Sequence, residues 1–231
     1  MINILYQDDD CVAVMKPVGV AAVPERVGDD ACLSSLLERQ LGRRVFPVHR
    51  LDKEVSGVIL YACTAEAHRF LNTAFERRDV HKTYLAVTHG RVEADRGLVV
   101  RPIREFGSGR MGVDDVKGKP SETRYEVLKR NDLFSLVRVF PLTGRRHQIR
   151  VHLYSIGHPI AGDVRYGDPE MRQGHPRLML TAVGIALHLP SGDRLDLHDL
   201  LPPDFIDAAR LAYGLDIGAL PPAGNNLSAV V

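Results

Sequence analysis

The chain has 231 residues, a formal net charge of +1, 45% hydrophobic and 26% charged residues, which excludes a disordered composition and allows one sizeable core. Residues 1–10 carry no basic segment followed by an apolar one, and the longest apolar runs stop well short of the ~18–20 residues that span a bilayer, so neither export nor membrane insertion is expected. A cytoplasmic protein that makes no use of a membrane is expected.

Cys11, Cys32 and Cys63 are odd in number and widely separated, which suits free thiols in a reducing compartment better than a disulfide framework. The ten histidines fall into no zinc pattern: HExxH and Cys-x-x-Cys are absent, and His147 and His152 are spaced off a common helical face.

In chain order, residues 2–6 and 11–15 read as strands around the acidic turn Asp8-Asp9-Asp10. Lys16-Pro17-Val18-Gly19 ends the hairpin. Asp29 or Asp30 can cap a helix carrying Leu33, Leu36, Leu37 and Leu41 at a 3.6 period, with Gly42 as its stop. Residues 45–48 and 55–62 read as strands that flank His49-Arg50-Leu51-Asp52, so charged side chains occupy a turn between buried strands. Thr64 caps a second helix with Ala67, Phe70, Leu71, Ala74 and Phe75 on one face, followed by a strand at 81–89. Strands at 121–129 and 133–142 precede a helix from about Arg145 to Ile156, closed by Gly157, and the last strand signal covers 178–188.

Many of these strands are joined by connections too short for a parallel crossover. The expected fold is α/β of the α+β type: a mixed, largely antiparallel central sheet with flanking helices. One domain over residues 1–213 and a C-terminal tail over 214–231 is the expected division.

Positive charge is distributed unevenly. After Arg177 there are two Lys or Arg against six Asp or Glu, whereas Arg43, Arg44, Arg50 and Lys53 cluster, as do Arg145, Arg146 and Arg150. Any nucleic-acid face must use those clusters. Gly107-Ser108-Gly109-Arg110-Met111-Gly112 matches GxGxxG, but no helix start follows and the βαβ context is missing, so it is set aside, and no Walker pattern is present. Neither a nucleotide cofactor nor a metal is implied.

Two segments carry chemistry. His49-Arg50-Leu51-Asp52-Lys53-Glu54-Val55-Ser56-Gly57 sets a carboxylate among cations, where it can act as nucleophile or base, or simply form a structural salt bridge. Thr143-Gly144-Arg145-Arg146-His147-Gln148-Ile149-Arg150-Val151-His152-Leu153 opens a helix with a glycine turn and puts Arg146 and Arg150 on one face. That face can hold a carboxylate or phosphates, or merely meet solvent.

Taken together, these segments resemble the RluA-like RNA pseudouridine synthases. Residues 49–57 are similar to that family's HRLDxxTSG motif, residues 145–153 to its GRTHQIRVHL helix and residues 157–167 to its GHPIxGDxxYG loop. Lys82-Thr83-Tyr84-Leu85-Ala86 resembles its KxYLA strand, Arg110-Met111 with Gly118-Lys119-Pro120 its RM and GKpA elements, and Lys16-Pro17-Val18-Gly19 its KPxG segment. Val55, Arg146 and Thr181 depart from the pattern, where the family has Thr, Thr and His.

The resemblance implies a pseudouridine synthase catalytic fold with an RNA-binding cleft, an isomerase that needs no cofactor, and structured ribosomal or transfer RNA as the partner; a monomer is expected. By the same resemblance Asp52 is the nucleophile, Arg150 its ion-pair partner with Arg145 as second choice, and Tyr84 the ring that stacks on uracil. Arg50 enters the stack that the flipped uridine leaves, and His49, Lys82, Arg145, His147 and Gln148 contact substrate. No S4-type RNA-binding domain is expected before the opening hairpin. A non-catalytic RNA-binding or ribosome-assembly protein on the same fold is the alternative, and a glycosidase would want a second carboxylate, for which Glu54 is the nearest candidate.

Overall fold

A computed structural model describes residues 1–24, 31–172 and 174–218. Strands β1 (Asn3–Gln7) and β2 (Cys11–Lys16) form the opening hairpin. Asp8 closes it by accepting the N–H groups of Asp10 and Cys11. Helix α1 (Leu33–Leu41) stops at Gly42, whose left-handed backbone lets its N–H reach Glu38 O. Cys32 is the N-cap and makes no side-chain cap bond. The expected caps Asp29 and Asp30 lie outside the described residues.

Strand β3 (Phe46–Pro47) is short, β4 (Ser56–Ala62) is buried along its whole length, and α2 (Ala65–Arg77) is capped by Thr64, which accepts the Ala67 N–H. Next come β5 (His81–His89), β6 (Arg96–Val100), β7 (Ile103–Glu105) and β8 (Met111–Val113). The chain continues with β9 (Glu122–Arg130), β10 (Phe134–Pro141), α3 (Gln148–Ser155), β11 (Leu180–His188), β12 (Arg194–Leu197) and α4 (Pro203–Tyr213).

Sequence patterning misses β6, β7, β8, β12 and α4. The strands among these are three to five residues long, too short for alternation to register. For α4 the signal was present, with Pro203 at its start, Phe205, Ala208 and Ala209 at helical spacing, and Gly214 as a left-handed stop. The GxGxxG match falls in the β7–β8 turn, where Phe106 and Arg110 pair through their backbones, so it is no phosphate loop.

The main sheet runs β1-β2-β4-β11-β5-β10-β9-β6, with β12 added to β11 and β3 to β4. Among the described residues every pairing is antiparallel except β4 with β11. This is the mixed, largely antiparallel sheet that short connections required. In the parallel pair Ser56 faces Thr181 and Gly57 faces Ala182. Gly57 has φ +116, and a Cβ there would sit 2.0 Å from Ala182 O, so only glycine lets the strand that follows Asp52 enter the sheet.

Alternation assigns the two faces. Cys11, Ala13, Val58, Leu60 and Ala62 pack with Ala67 and Leu71 of α2. Their neighbours Val12, Val14, Ile59 and Tyr61 pack in a larger core with Leu33 and Leu37 of α1, Leu153 of α3 and Phe205 of α4. Helices therefore cover both faces, which is why β4 reads as an unbroken buried run. Leu215 and Ile217, beyond α4, remain in the larger core, and residues 219–231 of the expected tail lie outside the described residues.

Candidate active site

Asp52 sits in the turn between β3 and β4, and its carbonyl accepts the Val55 N–H. Two further bonds pin that turn. Lys53 O accepts the Gly19 N–H and the Lys16 amine, and Lys16 also donates to Pro17 O and Val20 O. Lys16 is fully buried, and burial lowers its pKa to about 8 against the raising influence of Glu54 and Asp52. The early Lys-Pro-Val-Gly segment thus serves the Asp52 turn, a role that its sequence position did not reveal.

Arg150, from α3, reaches Asp52 with Nη1 at 3.3 Å. Its Nε and Nη2 are taken by the two oxygens of buried Asp163, each at 2.7 Å. Glu54 stands 3.8 Å from Nη1. Burial works against the Arg150 charge, but the bonds and charge of Asp163, with Asp52 and Glu54 behind them, raise its pKa beyond the ordinary arginine value. A guanidinium fork gripped along one edge can turn only one remaining N–H edge toward Asp52. Asp163 is the residue that sequence reasoning passed over, although it lay inside the Gly157–Gly167 loop.

His147 precedes α3 with φ 54, in the left-handed region. Its Nδ1 lies 2.7 Å from the Tyr166 hydroxyl, which itself accepts the Met111 N–H. In the tautomer whose Nδ1 accepts from the Tyr166 hydroxyl, the ring proton is on Nε2, 3.8 Å from Asp52. Burial lowers the His147 pKa, with Arg150, Arg146 and Arg165 adding to this and Asp52 opposing it.

Tyr84 comes from β5, two strands across from β4. It is buried, and both that burial and the Asp52 charge push its phenol upward, so it stays neutral. Lys82 precedes it by two residues on the same strand face. Burial lowers the Lys82 amine to about 8. Both line a cleft of about 610 Å³ together with His49, Arg50, Asp52, Arg145, His147 and Arg150.

The structure brings all nine sequence-derived site residues to this cleft, but their surroundings differ. His49 accepts the Leu60 N–H through Nε2 at 3.0 Å and stacks on Phe75. Burial, aided by Lys82, lowers its pKa to about 3, so it is a neutral brace under the turn. Gln148 is buried with its amide fully engaged: Oε1 accepts from Thr143 and from Arg145 N, while Nε2 donates to Glu122 O and Thr123. It shapes the Gly144 turn. Arg50 is exposed, and its guanidinium has no hydrogen-bond or ion-pair partner among the described residues. Arg145 makes a long bond to Pro120 O, while Arg150 is the arginine that reaches Asp52 among the described residues, so Arg150 is the ion-pair partner.

One expectation is corrected. Helix α3 begins at Gln148, because that side chain holds the preceding residues in a turn, so Arg146 and Arg150 share no helical face. Arg146 is exposed and pairs with Glu105 of β7 at 2.9 Å, whereas Arg150 is buried. The other departures are also placed. Val55 is a buried cleft wall. Thr181 meets Ser56 at 2.9 Å, and Ser56 also accepts from Arg177, which is tied to Asp204 of α4. Thr181 thus joins β11 to β4 directly after the Asp52 turn.

Against known proteins, the family model described as RNA pseudouridylate synthase matches residues 10–155. The dual-specificity RNA pseudouridine synthase RluA of Escherichia coli is 40% identical over 195 residues, covering 81% of this chain and 87% of that one. Its namesake from Vibrio cholerae is 37% identical over 193 residues, covering 82% and 78%. Among solved structures, human RNA pseudouridylate synthase domain containing 1 superposes with a TM-score of 0.77 at 30% identity, covering 90% of this chain and 85% of that one.

Proposed function

Since the chain belongs to the RNA pseudouridylate synthase family, we propose that Asp52 is the nucleophile with which it isomerises a flipped-out uridine in structured ribosomal or transfer RNA. It is an RNA pseudouridine synthase, an isomerase. The bond from ribose C1′ to uracil N1 breaks, the base turns, C1′ joins C5, N1 gains a proton and C5 loses one. Atoms balance without oxidant, reductant or added water.

The observation that carries the assignment of Asp52 is its position at the cleft, on a turn fixed by Lys16 and facing the one free edge of Arg150. A carboxylate held in this way cannot swing aside as the base rotates. Tyr84, a neutral phenol on a rigid strand, offers a ring face on which uracil can stack and still turn. His147 presents an Nε2–H beside Asp52 as a donor to the bound nucleotide. Lys82, Arg145 and Arg50 supply positive charge for the RNA backbone and, for Arg50, a flat cation for the opened stack.

His49 and Gln148 act on the substrate through what they hold, the Asp52 turn and the Gly144 turn. The relatives bearing the words dual-specificity favour more than one RNA target. The catalytic unit is taken as residues 1–213, with Leu215 and Ile217 still packed in its core before the tail, working as a monomer in the cytoplasm. No helix among the described residues is long and apolar enough to cross a membrane.

The test is release of tritium from RNA labelled at uridine C5, with product mapped by nucleotide position. Release at one or a few uridines of folded RNA is expected. Tight RNA binding without release would instead support a non-catalytic assembly protein.

A further inference from the structure

The cleft is larger than its Asp52 end requires. Its volume of about 610 Å³ falls within the ~300–1,000 Å³ that accommodates a drug-sized ligand, which is more than one uracil fills. Its lining also takes in the α2–β5 connection, with Phe75, Arg78, Val80 and Lys82, and the Gly144 turn with Arg145. These two segments face each other closely, since a Cβ at Gly144 would lie 3.8 Å from Lys82 Nζ.

Arg78 is the unusual residue of this lobe. It is the C-cap of α2 with φ 65, where α1 and α4 have glycine. That conformation is costly for any side chain with a Cβ, and helices normally use Gly or Asn there. The Arg78 guanidinium is exposed to the cleft and has no ion-pair or hydrogen-bond partner among the described residues. Lys82 also has no carboxylate partner among the described residues, and burial lowers its amine to about 8. Glu76 is the carboxylate of the lobe, set against the charges of Arg78, Lys82 and Arg145. Cations that line one cavity without a carboxylate partner call for an anion.

We propose that this lobe is a second subsite of the RNA cleft, in which Arg78 binds a phosphate that joins the target uridine to its neighbour. The α2 terminus tolerates a strained backbone to aim that side chain. The inference rests on the RNA pseudouridine synthase reading and adds a substrate-positioning residue to it.

The experiment pairs Arg78→Gly with backbone-modified RNA. Glycine suits the left-handed position, so the variant should melt at or above the wild-type temperature. Its KM for a stem-loop RNA that wild type converts should rise roughly tenfold, the loss of one charge-assisted contact, and its salt slope should fall by roughly one unit. The same stem-loop is then made with a single neutral methylphosphonate on the 5′ or the 3′ side of the target. At one of these sites wild type should lose a similar factor and Arg78→Gly nothing more.

Unchanged KM, or losses that add in full at both sites, would overturn the subsite. A lower melting temperature with unchanged KM would identify Arg78 as a helix cap that merely complements the α2 dipole, and would equally overturn it. If wild type converts no RNA, the catalytic reading itself fails, a result distinct from every comparison between variant and wild type.

Discussion

Arg150 gives two nitrogens to Asp163, each at 2.7 Å, and only then a third to Asp52, at 3.3 Å. The tighter pair is the buried one, so Asp163 orients the guanidinium and Asp52 receives what remains of it.

Asp163→Asn should therefore lower kcat more than it raises KM, because RNA contacts are untouched while Arg150 loses its anchor. Breaking a buried ion pair from one side costs ~3–5 kcal/mol, so urea denaturation should show a clear fall in stability as well. Arg150→Lys should reproduce the kcat loss, since a lysine cannot hold both carboxylates as a fork does. If either variant keeps kcat within about twofold of wild type in single-turnover assays, the positioning role is wrong.

Asp52→Asn should abolish conversion while keeping RNA affinity, because shape survives and the nucleophilic oxygen does not. Asp52 is partly exposed, with 18% of its side-chain surface accessible, so stability should change by no more than ~1 kcal/mol. Conversion within roughly tenfold of wild type would remove Asp52 from its assigned place.

Arg50→Ala should slow conversion of a structured stem-loop much more than that of a short unpaired oligonucleotide with the same uridine. Refilling a stack matters only where one has been opened. A plain phosphate contact would weaken both substrates alike and lower the salt slope by roughly one unit. Single-turnover rates at saturating enzyme on the two RNAs, at two salt concentrations, decide between them.

His49 should make the fold sensitive to acid. Its folded pKa is lowered to about 3, below the unfolded value near 6.5, so between these limits the unfolded chain takes up a proton that the folded one refuses. Stability is fully present above about pH 6.5 and is lost as pH falls toward 3. His49→Gln keeps an acceptor for the Leu60 N–H without titrating, and urea midpoints from pH 7.5 down to 5 should fall less steeply than in wild type. Parallel slopes would show that His49 takes no part in the acid response.

Several features were legible in the sequence because their causes are local. Leucines at a 3.6 period followed by Gly42 mark α1, Thr64 marks the start of α2, and short connections between alternating strands dictate an antiparallel sheet. The motif around Asp52 and the segment around Arg150 could also be picked out, since each gathers its chemistry within a few residues. Their union could not. Asp52 and Arg150 are 98 positions apart, and what joins them is the order of strands, which sets β4 beside β11 and β11 beside β5. The tertiary structure alone decided that His49 and Gln148 brace turns, that Arg146 faces Glu105 while Arg150 turns inward, and that Lys16 and Asp163 hold the two halves of the site. A polar side chain in a sequence carries its hydrogen-bonding capacity but not its partner. Burial makes that partner obligatory, and only the folded chain determines which one it meets.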